Sequence, residues 1–399
     1  MELYLQMGHG MQKMCLNLLQ LWGRGTVILS PVNIAQDKLV PLAKTYQRAN
    51  GNVLFDPQLY YPRDGADKLI AYDYWPSSFS TISDSSTMID TCRLILRINE
   101  EIQSEAIIIP GEEITDLQQL KIKALWIRNA TKYFREHTTK KLYVTLCLFT
   151  EILRSQNAIE ELLGYLEQID ADGYYIVARS SNEEYIITDP IWMIGIMKLC
   201  ACIKLSGKRV IWAFANHQAL SASVCHIDAI ASGNYMNTRQ FVPKRFRSKT
   251  DDMELRKSTW YFDPNALTEY KANLLDIAFQ RGFLDRFKPI GDFANPYADV
   301  LFTGAVPSST SYNETSSFLH YLHCLHVLCQ SVTMDTFSGT CAQAGFLLDS
   351  AENEMSYLRT KGFQSQNRNF GAGIEALRIA ISTVEEDYGL RLDIDWSTL

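Results

Sequence analysis

Residues 52–63 read NVLFDPQLYYPR, a short apolar run that ends in a carboxylate, Asp56, and continues through Pro57 into Gln58, Tyr60 and Tyr61. A carboxylate at the end of an apolar strand, partly withdrawn from water, is placed to act as a general base or to stabilise positive charge in a transition state. The competing reading is a turn cap before proline, which Asp performs well. His9 stands between Gly8 and Gly10 and offers an acid, a base or a phosphate contact, or else an ordinary loop histidine; the glycines permit close backbone approach. Glu112 and Glu113 follow Pro110-Gly111, one placed to enter a site and the other to sit near the positive end of the next helix. Asn216, His217, Gly233 and Asn234 offer hydrogen-bonding edges to a planar ligand. Arg63, Arg179 and Arg239 carry the forked donors that suit phosphate.

Two further clusters stand out. PKRFRSK places Lys244, Arg245, Arg247 and Lys249 around Phe246, a pattern suited to a nucleic-acid backbone or to a solvated linker. HYLHCLHVLCQ puts His320, His323, Cys324 and His326 at helical spacings of three and four, which could share a face around zinc. That run is otherwise apolar and lacks a separated second ligand pair, so a core helix with histidines at its edge is the expectation, with no metal and no cofactor.

These residues need elements to position them. Short runs rich in Val, Ile, Leu and Tyr recur at 3–7, 26–30, 52–56, 106–110, 142–148, 173–178, 210–214 and 229–232, a composition that suits strands buried on both faces. Helix-compatible segments lie between them at 11–22, 35–48, 88–103, 117–136, 157–168, 191–205 and 219–226. Thr115 and Asp116 precede the fourth, Ser155 the fifth, and Gly207 follows the sixth. Eight strands with a helix between each pair predict an α/β fold, a (β/α)8 barrel over residues 1–240. A doubly wound open sheet is the alternative, without a GxGxxG after an early strand to support it. In a barrel, Asp56, His9, Glu112, His217 and the other polar residues fall at the carboxyl ends of strands, where such folds build their chemistry. Residues 241–399 change texture and predict a mostly helical C-terminal extension, with a polar loop at 304–317.

The chain has 399 residues, 47% of them hydrophobic, and a net charge of −7, which excludes a protein basic all over but leaves room for a local basic groove. Nine scattered cysteines without a CxxC pair, an amino terminus without a signal-peptide pattern and the lack of a long apolar stretch lead us to expect a reduced, cytoplasmic protein with no membrane segment.

The tip VLFDPQLYYP resembles the strand-end DSGGFQ or DSGSYQ segment of tRNA-guanine transglycosylases, barrel enzymes that exchange a base in nucleic acid. The resemblance implies that Asp56 lies near the reacting base or sugar, with Gln58 and Tyr60 close by. Where that family carries a GGLAVGE-like strand end this chain reads FANHQ. Neither ANHQAL nor SGNYMNTR supplies the second, nucleophilic aspartate, and the family's cysteine-rich zinc site has no counterpart. A single carboxylate favours hydrolysis over exchange, as in glycoside cleavage. The chain is therefore similar to bacterial anti-phage DNA glycosylases that remove modified, for example glucosylated, bases. That likeness implies DNA as partner, base flipping, and a pocket built from Gln58, Tyr60, Tyr61, Asn216 and Asn234. A base-exchanging transglycosylase, a barrel enzyme acting on a small phosphorylated metabolite, and a non-catalytic scaffold are the alternatives.

Overall fold

The computed structural model describes residues 1–76, 85–180, 184–247, 258–365 and 368–399. Nine strands form its main sheet: β1 (Glu2–Gln6), β2 (Gly25–Leu29), β3 (Gly51–Phe55), β4 (Ala106–Ile109), the two-residue β5 (Glu113–Ile114), β6 (Lys141–Leu148), β7 (Gly173–Ala178), β8 (Arg209–Ala213) and β9 (Ala229–Ser232). All pairings in it are parallel, in the order β3-β2-β1-β9-β8-β7-β6-β4, with β5 on the outer end of β6. Apart from β5, these are the eight strands read from composition. The sheet curls into a nearly closed barrel. At its seam β3 and β4 form no ladder. The Glu105 N–H reaches the Val53 carbonyl at 3.0 Å, and the Glu113 N–H reaches that of Tyr60 at 3.2 Å.

Around the barrel lie α1 (Gln12–Trp22), α2 (Leu39–Arg48), the one-turn α3 (Asp67–Ile70), α4 (Ser85–Glu101), α5 (Leu117–His137), the short α6 (Thr150–Leu153), α7 (Gln156–Leu166) and α8 (Pro190–Leu205). The local signals act as expected. Asp116 caps α5 by accepting the Gln119 N–H at 2.9 Å, Ser155 caps α7 through Ala158 N–H, and Gly207 leaves α8 with a left-handed φ of 75°. One expected helix is different. Residues 217–225 form a 3₁₀ helix buried on every side, wedged between the barrel wall and the C-terminal helices, and lack the solvent face of an outer helix.

The extension is mostly helical but opens with an antiparallel hairpin, β10 (Trp260–Asp263) and β11 (Thr268–Lys271). Its turn is set by Asp263, which accepts the Asn265 N–H at 3.0 Å, and by Leu267 at φ 48°. Helices α9 (Leu275–Gln280), α10 (Pro296–Asp299), α11 (Glu314–Val332), α12 (Phe337–Thr360) and α13 (Ile374–Asp395) follow. The polar stretch expected as a loop ends at Asn313, which caps α11 through Ser316 N–H. Helix α11 packs on β1 and α1, and α13 on α8 and the 3₁₀ helix. The extension therefore supplies the outer layer that the barrel's own chain leaves open after β9. One hydrophobic cluster runs from the strands through α11, α12 and α13, and a smaller one surrounds Tyr261, Tyr270 and Phe287.

Candidate active site

Asp56 follows directly on β3, and its N–H continues the ladder to Leu29 at 3.2 Å. Its side chain is 1% exposed. Oδ2 accepts the Tyr60 hydroxyl at 2.7 Å and the Tyr175 hydroxyl at 3.2 Å, and Oδ1 accepts the Gln58 N–H at 3.0 Å. Tyr175, on β7, shares its one hydroxyl hydrogen between Asp56 and Gln6 Oε1 of β1, the latter at 2.8 Å, and Ser30 at the end of β2 receives the amides of Gln6 and Gln58. Bonds between strands that are not neighbours must cross the lumen, so this network lies inside the barrel at its carboxyl end. Burial raises the Asp56 carboxyl to about 6, against the pull of the Tyr60, Gln58 and Tyr175 hydrogen bonds. Gln58 holds its place at φ 55°, a costly conformation for a residue with a side chain. Its Oε1 accepts the Val32 N–H, fixing the loop after β2.

Aromatic rings close the mouth over Asp56. Tyr60 meets Phe246 at 5.0 Å and Phe241 at 5.2 Å, edge to face, and Phe241 stacks on Phe246 at 5.4 Å. Phe214, just past β8 at φ 51°, joins the group. The segment carrying this cover is pinned to residues 65–66: Ala66 N–H bonds the Phe246 carbonyl, and Gly65 bridges Arg247. A cavity at the tips of β7 and β8, lined by Tyr185, Asn216 and Gln218, measures only about 20 Å³, room for about one water.

The opposite rim holds a buried ionic cluster. Arg239, 2% exposed, pairs both carboxylate oxygens of Glu269 at 3.2 Å, bonds the Gly233 carbonyl, and lies 3.5 Å above the Tyr321 ring. Arg368 and the Tyr185 hydroxyl complete the Glu269 shell at 2.5 and 2.6 Å. Burial opposes its ionisation, yet Arg368 and Arg239 bring the Glu269 carboxyl down to about 2. Arg239 thus ties the hairpin to the barrel and is withdrawn from any phosphate at the surface. His217 lies alongside, fully buried among Phe262, Phe370 and Tyr321. Among the described residues neither ring nitrogen has a hydrogen-bond partner, the Leu267 backbone approaching without completing one, and burial takes its pKa down to about 4. It does not meet Asp56 in any hydrogen bond.

The other sequence candidates scatter. His9 is exposed; its carbonyl accepts the Asn234 amide, and a Cβ at Gly8 would lie 1.9 Å from Asn234 Oδ1 and displace that side chain. Gly233 packs against the Gln6 carbonyl. Asn216 caps the 3₁₀ helix and holds the Tyr185 carbonyl. Arg179 lies 3.5 Å from Glu113 and over the Phe149 ring. Of the PKRFRSK patch, Lys244 and Arg247 are exposed, with Arg247 4.2 Å over the Tyr61 ring, while Arg245 turns inward. Lys249 lies outside the described residues. A larger cleft of about 510 Å³ opens beside the β3–β4 seam between α4 and α5, and brings together Arg63, Glu112, Lys123, Gln119 and Trp126. Lys123 sits 3.7 Å from Glu112 there. In α11, His320 bonds the Phe262 carbonyl and the Asn295 amide, and His323 takes the Trp22 indole N–H and the Asp292 carbonyl. His326 stacks on Trp22 at 4.0 Å. These rings tie α11 to its neighbours, and no metal-ligating trio exists among the described residues.

Tyr175 and Gln6 escaped the sequence reading, which looked only at strand ends. A polar residue inside an apolar strand, as in LYLQM and GYYIVA, was the available signal. The described helices include none long and apolar enough to cross a membrane. Fold and site together define a (β/α)8-barrel protein with a sealed carboxylate–tyrosine centre at the carboxyl end of its strands. No protein-family model matches the chain, and no curated protein matches it either.

Proposed function

We propose that the protein is a DNA glycosylase, hydrolysing the N-glycosidic bond of a modified base in phage DNA and leaving an abasic site. The observation that carries this reading is the buried carboxylate of Asp56, at a barrel strand tip with two tyrosine hydroxyls on it. Ionised, it would stabilise an oxocarbenium-like sugar as the bond from C1′ to the base nitrogen breaks. Water then adds to C1′, leaving a hydroxyl there, and the base departs with a proton. A flipped base has to enter the mouth, so Phe241 and Phe246 must yield to it. The cleft at the β3–β4 seam, with Arg63 on its wall, offers space for the rest of the substrate.

The test is to incubate the protein with DNA whose cytosines carry glucosylated hydroxymethyl groups, alongside unmodified DNA, and to score alkali-labile sites on a gel. Strand breaks after alkali on the modified DNA alone, lost in Asp56→Asn, are expected. Their absence, or full activity in Asp56→Asn, removes this reading. The closed mouth favours a second one, a barrel enzyme acting on a small phosphorylated metabolite, because Arg239, one of the arginines suited to a nucleic-acid phosphate, is buried in an ion pair. That alternative predicts no salt-dependent DNA binding.

A further inference from the structure

Counted hydrogen by hydrogen, the network in the lumen is one short when Asp56 is ionised. Tyr175 has a single hydroxyl hydrogen and two acceptors, Gln6 Oε1 at 2.8 Å and Asp56 Oδ2 at 3.2 Å. The shorter contact takes it, so the Tyr175 oxygen faces Oδ2 lone pair to lone pair unless Asp56 supplies the hydrogen between them. The direction at Gln6 is set by Ser30, whose hydroxyl oxygen receives Gln6 Nε2 at 3.3 Å and Gln58 Nε2 at 3.1 Å. Gln58 is fixed in turn, because its Oε1 accepts the Val32 N–H at 3.0 Å. With Asp56 protonated, the hydrogens run one way: Asp56 to Tyr175, Tyr175 to Gln6, Gln6 to Ser30. The Ser30 hydroxyl hydrogen is then left over, with no acceptor among the described residues. A half-turn of the Gln6 amide reverses the chain. Ser30 then donates to Gln6, Gln6 to Tyr175, and Tyr175 to an ionised Asp56. Tyr60 donates to Oδ2 and the Gln58 N–H to Oδ1 in both arrangements. Gln6, Ser30, Asp56, Gln58 and Tyr175 are each at most 1% exposed, so bulk solvent settles neither count. Burial brings the Asp56 carboxyl to about 6, where both forms are populated near neutral pH.

We propose that Gln6 is a positioning residue: through Tyr175 it holds the proton on Asp56, and its amide turns over when the carboxyl ionises. Its bearing on catalysis rests on the glycosylase reading; the reversal of the hydrogen bonds does not, and the experiment separates them. Around Asp56, Tyr60, Tyr175, Cys147 of β6 and Tyr74, whose hydroxyl goes to the Pro57 carbonyl, are kept neutral by burial. The charged groups on the surrounding elements, Arg245 on the covering turn and the Glu113–Arg179 pair beyond β6, are the same in every variant compared. Infrared difference spectra from pH 4 to pH 8 follow the carboxylic C=O band that vanishes when Asp56→Asn is added to each background. That subtraction removes Asp263, which burial also raises into this range, to about 7. In Gln6→Met the Tyr175 hydrogen loses its better acceptor and turns to Asp56, so the midpoint of the band falls by about one pH unit, the order by which a hydrogen bond to the charged form moves a carboxyl. A midpoint that stays or rises overturns the proposal, since Gln6 then only packs or already donates to Tyr175. Gln6→Leu carries the same expectation if the methionine variant does not fold. On glucosylated DNA the acid limb of abasic-site formation moves down by the same amount in the Gln6 variant, and an unmoved limb in an active variant overturns the role in catalysis. A wild type that releases no base removes the glycosylase reading, and the infrared midpoint still decides the proposal.

Discussion

Replacing Asp56 by Asn should make the protein more stable at alkaline pH. The carboxyl stands at about 6 in the fold against 3.8 in the ordinary state. A raised carboxyl contributes stability that is fully present below the unfolded value, near pH 4, and is lost as pH rises through about 6. At roughly 1.36 kcal/mol per unit, ionisation inside the barrel costs about 3 kcal/mol at pH 8. Asn avoids that cost. Its amide can donate to the Tyr60 and Tyr175 hydroxyls, leaving one phenolic hydrogen without an acceptor, a loss of about 1 kcal/mol. The net expectation is a gain of about 2 kcal/mol at pH 8 that disappears, or reverses slightly, at pH 4. Urea denaturation followed by tryptophan fluorescence at both pH values measures it. A variant no more stable than the wild type at pH 8, or a difference that does not change with pH, would refute the reasoning. Under the glycosylase proposal the same substitution is expected to abolish base release.

Two other perturbations probe the opposite rim. Glu269→Gln leaves the buried Arg239 and the half-buried Arg368 without their shared carboxylate and should cost about 3–5 kcal/mol, read as a lower urea midpoint near neutral pH; a loss below about 1 kcal/mol would mean that the cluster does not clamp the hairpin. His217 is held neutral down to about 4 against 6.5 when unfolded, so its contribution is present above pH 6.5 and is lost as pH falls toward 4. His217→Phe, a ring substitution among rings, should therefore remove about 3 kcal/mol of the acid destabilisation between those values. Unchanged acid sensitivity in a folded variant would point to other groups.

The strands were legible because each is a short apolar run buried on both faces, and burial on both faces leaves the same mark on composition wherever the strand falls in the sheet. Helix ends were legible for a related reason: Asp116, Ser155 and Gly207 satisfy or redirect backbone groups within three residues, so the signal is local. The segment at 217–225 misled because its helical pattern is real but its surroundings are not those of an outer helix. The hairpin at 260–271 was overlooked between longer helical signals, although its Asp–Pro–Asn turn was in view.

The sequence by itself determined the barrel, its order of elements, and the place of Asp56 at the end of a strand, since each follows from short-range periodicity and turn chemistry. Only the tertiary structure decided what Asp56 faces. The Tyr175 hydroxyl arrives from 119 residues away and the Gln6 amide enters through it. His217 and Arg239, equally at strand ends, were turned into the rim by β10, β11 and α11, elements far along the chain. A strand end specifies a position, but the charge state and accessibility of the group there depend on which distant side chains close over it, and local pattern carries no record of those contacts.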